Sequence, residues 1–213
     1  AITVDSGTAT TAQANALADE TSGIVTATIA EGDLATLSGL TGTGNAYAIT
    51  ISDTAVNAAI LNAINNKTIN DINGQNIIQI EGTAEDIATA YTAGGINGLG
   101  DEEIIFTASN INASDLIAID SANSQVIDAS TLTTLTGTAV DLNTAFESGG
   151  ISNLGDQDVT LTDSSLTASV LNALDGNTTG SIDASAVTTL TGTAVDLNTA
   201  FDSGGISNLS DQD

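Results

Sequence analysis

The chain contains no cysteine, histidine, methionine, tryptophan, proline or arginine, and Lys67 is its only basic side chain. Each absence closes a class of function. Without thiolate or imidazole there is no Cys/His zinc, haem or iron–sulfur ligation. Ser-His-Asp and Cys-His nucleophile systems are excluded as well. One lysine cannot neutralise a phosphate backbone, which excludes nucleic-acid binding. Disulfides are absent, so stability comes from burial, hydrogen bonds or bound ions. Aromatic residues are scarce: Tyr47, Tyr91, Phe106, Phe146 and Phe201. No apolar run approaches the roughly 20 residues that a membrane-spanning helix needs. A nearly trypsin-proof chain with no sulfur to oxidise suits a long-lived outer surface.

What is present is acid and small aliphatic residues. Asp and Glu number 27 in 213 residues, for a net charge of −26. Such a balance with few aromatics is a signature of disorder. Here 41% of the residues are hydrophobic, mostly Ala, Ile, Leu and Val, and they recur regularly. That favours a folded chain with an aliphatic core.

The regularity is an internal repeat. Residues 127–158 and 182–213 differ at only four of 32 positions: Thr131/Ala186, Leu132/Val187, Glu147/Asp202 and Gly155/Ser210. The offset that carries Ile127 to Ile182 also carries Tyr91 to Phe146 and Phe146 to Phe201. An aromatic that closes an apolar helical face is expected in the core. The register holds from about residue 48 onward, and earlier residues fit after small shifts. The expected units are 27–81, 82–136 and 137–191, flanked by partial units 1–26 and 192–213. A chain that opens and stops mid-unit, without a polar cap, is expected to be part of a longer array.

Each unit divides into two similar halves of about 27 residues, a usual length for one coil of a repeat array. In the first, Thr138 and Asp141 form a capping-box-like start. Ala139, Leu142 and Phe146 then fall on one helical face. Gly149-Gly150 is placed to give a left-handed stop, as are Gly94-Gly95 and Gly204-Gly205. Val159-Thr160-Leu161-Thr162 alternates like a strand. In the second half, Ser164 or Ser165 caps a helix with Leu166, Val170, Leu171 and Leu174 inward, ended by Asp175-Gly176-Asn177. Ile182–Ser185 then reads as a strand. Helices this short are marginal alone and need neighbours to cover them. The fold class expected is an α/β repeat solenoid, with one short helix and one short strand per coil. The alternatives are a Thr-rich β-solenoid and a row of small β domains. Leu142, Phe146, Ile151, Val159, Leu161, Leu171, Leu174, Ile182 and Leu190 form the expected core.

The acids repeat with the units. Asp101, Asp156 and Asp211 are equivalent, as are Glu103, Asp158 and Asp213, and Asp163 matches Asp53. An acidic turn entering a strand offers several oxygens to a hard cation, and calcium takes six to eight. These seven residues, Asp53 apart, are the candidate metal ligands, with structural Ca2+ as the candidate cofactor. Asp175-Gly-Asn is a second candidate loop. Neither matches the EF-hand or the nonapeptide calcium motif. The competing explanation is solvated turns that keep a long polymer soluble. Asp86, Asp141 and Asp196 are explained by helix capping alone. A catalytic site built from carboxylates would be singular and cleft-bound; these recur, so no enzyme is expected.

The strings TLTGTAVDLNTAF, ISNLGDQDVTLTDSSLTASVLNALDGNTTGSIDAS and IAEGDLATLSGLTGTGNAYAITISD resemble repeats of giant cell-surface proteins of marine cyanobacteria, a group that includes swimming-motility surface proteins. The resemblance covers nearly the whole chain. It implies an extracellular, non-enzymatic role in the envelope, in attachment or in motility, and it carries no catalytic residues. The expected function is a structural surface segment whose partners are further copies of the repeat. The alternative is an adhesin whose repeats bind polysaccharide, for which Thr133, Thr134 and Thr136, with Thr188, Thr189 and Thr191, are the candidate row.

Overall fold

The computed structural model describes residues 1–209, so Asp211 and Asp213 lie outside the described residues. The chain is α/β, and its strands pair in parallel. It divides into two compact units, Ala1–Ile105 with Ala122–Gln125, and Phe106–Ser121 with the described residues from Val126 onward. The helical content sets aside the all-β alternatives. No helix among the described residues is long and apolar enough to cross a membrane.

In chain order the first unit holds β1 (Ile2–Thr3), α1 (Thr11–Asp19), β2 (Val25–Thr28), α2 (Leu34–Leu37), β3 (Ala46–Ala48), β4 (Ala55–Asn57), α3 (Ala58–Asn65), β5 (Ile72–Asn73), β6 (Gln79–Gly82), α4 (Ala84–Thr92), β7 (Ile96–Asn97) and most of β8 (Glu103–Phe106). Its sheets run β1-β2-β3, β4-β6-β8 and β5-β7. The second unit holds β9 (Asn110–Asn112), most of α5 (Ala113–Ala122), β10 (Ile127–Asp128), β11 (Thr134–Gly137), α6 (Ala139–Glu147), β12 (Ile151–Ser152), β13 (Asp158–Leu161), β14 (Ser165–Thr167), α7 (Ala168–Asn177), β15 (Ile182–Asp183), β16 (Thr189–Thr191), α8 (Ala194–Asp202) and β17 (Ile206–Ser207). Its main sheet runs β17-β15-β13-β11-β9, beside the pairs β10-β12 and β14-β16.

From β4 onward the pairing step is nearly constant, whereas β2 and β3 pair across a shorter one. Thr134 pairs with Asn110 on one side and with Asp158 on the other, an equal step along the chain in each direction. The same step joins β4 to β6, β5 to β7, β10 to β12, β14 to β16 and β15 to β17. Side chains follow it as well: the Thr133 hydroxyl donates to the Ser109 carbonyl and the Thr188 hydroxyl to the Ser164 carbonyl. Helices, by contrast, begin at Ala113, Ala139, Ala168 and Ala194, so a shorter step alternates with a longer one. The longer step contains an added strand. After β13 the chain moves sideways through 162–164, and β14 opens a second ladder before α7 begins. Each coil therefore carries strands both before and after its helix, more than the one strand per coil expected from the sequence.

The helix starts follow the sequence reading. Thr83, Thr138 and Thr193 each accept the backbone N–H of Asp86, Asp141 or Asp196 and donate to the carboxylate of the same residue. Three expectations about α7 are corrected. Leu166 belongs to β14 and is half-buried, and Asp175-Gly176-Asn177 forms the last turn of the helix rather than a loop after it. Thr167, not Ser164 or Ser165, stands at its N-cap; its hydroxyl bonds to the Ser169 hydroxyl (3.1 Å) and not to a backbone N–H of the first turn.

The stops also differ. Gly94 and Gly95 are left-handed, with φ of 75° and 84°, but neither Gly149-Gly150 nor Gly204-Gly205 is. Residue 93 is alanine where positions 148 and 203 are serine. The Ser148 hydroxyl donates to Asp120 Oδ2 (2.6 Å) and accepts the Gly150 N–H (3.1 Å), which holds the exit extended. Ser203, Asp175 and Gly205 repeat this arrangement. A Cβ on Gly150 would collide with the Asp120 carboxylate, so glycine is kept there for space.

The core is aliphatic. Leu142, Leu171, Leu174 and Ile182 are fully buried, and Ile151, Val159 and Leu161 are buried as expected. Phe146 and Leu190 are only half-buried, and Phe201 is 52% exposed. The inward face of α6 is Ala139, Leu142 and Ala145, all at most 1% exposed, which leaves Phe146 on the flank. Leu190 lies in β16, which among the described residues pairs with β14 alone, whereas its equivalent Leu135 in β11 is covered from both sides and fully buried.

This distribution separates two substitutions that sequence pattern treats alike. Leu142→Ala should cost about 2–5 kcal/mol, as full-core truncations do. Phe146→Ala should cost distinctly less. Urea unfolding of both variants checks the order, and an equal or larger loss at Phe146 would overturn the packing described.

Candidate functional site

The acidic turn of the second unit borders an open concavity of about 710 Å3, lined among others by Leu132, Asn153, Asp156, Gln157 and Asp158. Its floor follows from the alternation of strand β13 and the turn before it. Gln157 points inward at 2% exposure, while Asp156 and Asp158 on either side point outward. Asn153 at φ 60° and Gly155 at φ 139° bend the backbone into the turn. Gln157 closes it: its Oε1 accepts the N–H groups of Gly155 (2.8 Å) and Asp156 (3.2 Å). Its Nε2 donates to the carbonyls of Asn153 (3.0 Å) and Leu132 (3.4 Å). Every polar atom of this buried amide is matched, as burial of polar groups requires.

The carboxylates around it have separate duties. Asp158 Oδ1 accepts the Ser181 backbone N–H (2.8 Å) and hydroxyl (2.9 Å), and these bonds hold its pKa below the ordinary carboxylate range. Asp163 Oδ2 accepts the Ala139 N–H (2.7 Å), so it caps α6 from the following coil. Asp53 does the same for Leu34 at the start of α2. In the first unit Asp101 is exposed, and Glu103 Oε2 accepts from Gln79 Nε2 (2.9 Å). Asp156 and Asp158 therefore line one concavity, but Asp163 points to a helix end instead. Among the described residues no group of three or more acids converges on one point.

Sequence reading missed a second polar device. Asp128 Oδ1 accepts Asn153 Nδ2 (2.8 Å) and the Ser130 N–H (2.9 Å); Asp183 does the same with Asn208 and Ser185. The Asn side chains, followed by the Ser N–H groups, lower the pKa of both aspartates. The available signal was Asp-x-Ser with an Asn placed just past one pairing step from the Asp, a spacing visible only once that step is known. Tyr91, expected in the core, is half-buried, and its hydroxyl donates to Glu102 Oε2 (2.6 Å). Burial, that hydrogen bond and the charges of Glu102 and Asp101 raise its pKa far above the ordinary value, so it stays protonated.

Comparison with protein-family models, curated proteins and solved structures yields no match.

The lowered carboxylates set a pH dependence. A group whose pKa is lower in the folded state stabilises above its unfolded value, about 3.9 for aspartate, and that contribution is lost as pH falls through the folded value. Asp128→Asn with Asp183→Asn should therefore flatten the fall in thermal midpoint below about pH 4. Midpoints measured from neutral pH down into the acid limb check this; an unchanged acid limb would remove the assigned role.

Proposed function

We propose that this chain is a segment of an extracellular structural repeat, an α/β solenoid that supplies length and a charged exterior to a cell-surface or filament-forming protein. The observation that carries the reading is the near-constant pairing step, which recurs in both units. A coil whose strands pair by the same step ahead and behind is extended by adding another, with the same residues buried each time. The near-identity of residues 127–158 and 182–213 fits selection for repeated geometry. Further copies of the repeat are the natural partners. Catalysis has no part in this reading: the recurring acids are accounted for by caps and turns. The resemblance to cyanobacterial surface repeats supports a position at the cell surface, in envelope, attachment or motility work.

One observation favours the adhesin reading as a second. Across the main sheet of the second unit, Asn112, Thr136, Thr160, Asp183 and Ser207 lie in register on neighbouring strands. Strands sit about 4.8 Å apart, so this is a regular polar row suited to a repeating saccharide. Binding on a glycan array, lost on Thr136→Val with Thr160→Val, would replace the purely structural reading; background signal would remove the adhesin.

The charge makes the structural reading testable. Twenty-six net negative charges repel one another and oppose compaction. The Debye length is about 10 Å at 0.1 M salt and roughly 4 Å near marine salinity. The thermal midpoint should therefore rise from dilute buffer to high NaCl, with chelator present throughout. Calcium held at the Asp156–Asp158 turn should raise it further at matched ionic strength, through preferential binding to the folded state. Asp156→Asn with Asp158→Asn should remove the part of that increment that this turn supplies, so the increment shrinks. A midpoint indifferent to NaCl would contradict the surface-charge account, and equal effects of calcium and NaCl would remove the metal from the turn.

A further inference from the structure

One repeat offset before Gln157 stands Glu102, and one more before that stands Tyr47. All three side chains are buried, at 2%, 0% and 0% exposure, so the repeat itself turns this position inward. At Gln157 the inward group is an amide with every atom matched. At Glu102 it is a carboxylate. Its Oε2 copies Gln157 Oε1, accepting the N–H groups of Gly100 (2.8 Å) and Asp101 (3.1 Å). Its Oε1 therefore takes the place of Gln157 Nε2, and it is buried with no hydrogen-bond partner.

The equivalence also identifies what faces it. Gln157 Nε2 donates to the carbonyls of Leu132 and Asn153, whose equivalents are the carbonyls of Ile77 and Gly98. By that equivalence Oε1 is set against two carbonyl oxygens, where the sister copy has a donor between two acceptors. A buried carboxylate oxygen against carbonyls is strongly unfavourable unless something positive lies between them. The neighbouring substitution supports a site rather than a defect. Where the amide stands the flanking aromatic is Phe146; where the acid stands it is Tyr91, whose hydroxyl serves Oε2. The acid and the hydroxyl that orients it occur together.

We propose that Glu102 Oε1, with the backbone carbonyls of Ile77 and Gly98, binds a hard cation of the calcium class. One carboxylate oxygen with backbone carbonyls and water is an ordinary donor set for such an ion. Gly98 is exposed, which gives water access to complete the shell. The site is separate from the Asp156–Asp158 turn and does not rest on that turn holding metal.

Terbium provides the probe, because it replaces calcium and emits when a nearby tyrosine is excited. The chain has two tyrosines and no tryptophan. The intact protein should give tyrosine-sensitised terbium emission that calcium displaces. Glu102→Gln, which installs the amide of the sister copy, should abolish it while keeping the fold. Tyr91→Phe should also abolish the emission, whereas Tyr47→Phe and Asp156→Asn with Asp158→Asn should keep it. Calcium should raise the thermal midpoint of the Asp156→Asn, Asp158→Asn variant above the value in NaCl of equal ionic strength, and fail to do so once Glu102→Gln is added. Absence of sensitised emission, or emission that survives Glu102→Gln, would overturn the site. So would a calcium increment that ignores Glu102→Gln in that background.

Discussion

No coil of this chain can bury its own helix and strands, so each must find its partners in the coils before and after it. Strands of two to four residues and helices of three turns or fewer are below the size that holds on its own. Parallel pairing gives an inner strand two neighbours in register, and the helix above them then closes on a surface of Val, Leu and Ile. The use of alanine follows. Ala139 and Ala145 let α6 approach the sheet closely, with Leu142 as the single large contact between them. Bulk at those positions would break the step for every coil that follows.

That constraint explains what could be read from the amino-acid sequence. The repeat offset, the Thr–Asp helix starts and the buried Leu142, Val159, Leu171 and Ile182 are local or periodic signals, and each is visible in one copy or in the comparison of two. The half-unit read from the sequence averages a shorter and a longer helix spacing, and neither of these is the pairing step. The pairing step depends on where the chain shifts from one ladder to the next at 162–164, which no local pattern marks. Phe146 departs from its expected place for a related reason. Periodicity allows either Ala145 or Phe146 on the helical face, and hydrophobicity alone selects the larger; close approach to the sheet selects the smaller.

The candidate site was legible as far as its residue types. Acids at Asp156 and Asp158 do share a turn. Their neighbour Gln157 carries the hydrogen bonds that shape it, although an uncharged residue between two aspartates attracts little notice. Asp163 follows the turn closely in sequence, but strand β13 intervenes and carries it to the start of α6. Sequence proximity to the turn is therefore a poor guide to whether a carboxylate faces an ion or a helix end.

Copies of one unit act as substitutions made within a single molecule, and their differences isolate causes. Alanine at 93 and serine at 148 occupy the same exit. The first leaves the turn to left-handed glycines, while the second ties it to Asp120 and needs none. The residue facing Ser148 is aspartate and the one facing the Ala93 exit is Asn65, whose Nδ2 donates to the Gly94 carbonyl instead (2.9 Å). Serine donates to a carboxylate; without serine, an amide donor meets the exposed carbonyl. Each pair is internally matched, and exchanging one member alone would leave a donor or an acceptor without its partner. The same logic distinguishes Tyr91 with Glu102 from Phe146 with Gln157: the carboxylate oxygen takes the tyrosine hydroxyl as a third donor beside two N–H groups, whereas the amide is already satisfied by the backbone and stands beside a phenylalanine. Divergence between copies has moved in coupled pairs because the shared pairing step fixes the backbone, leaving side chains to balance one another within each coil.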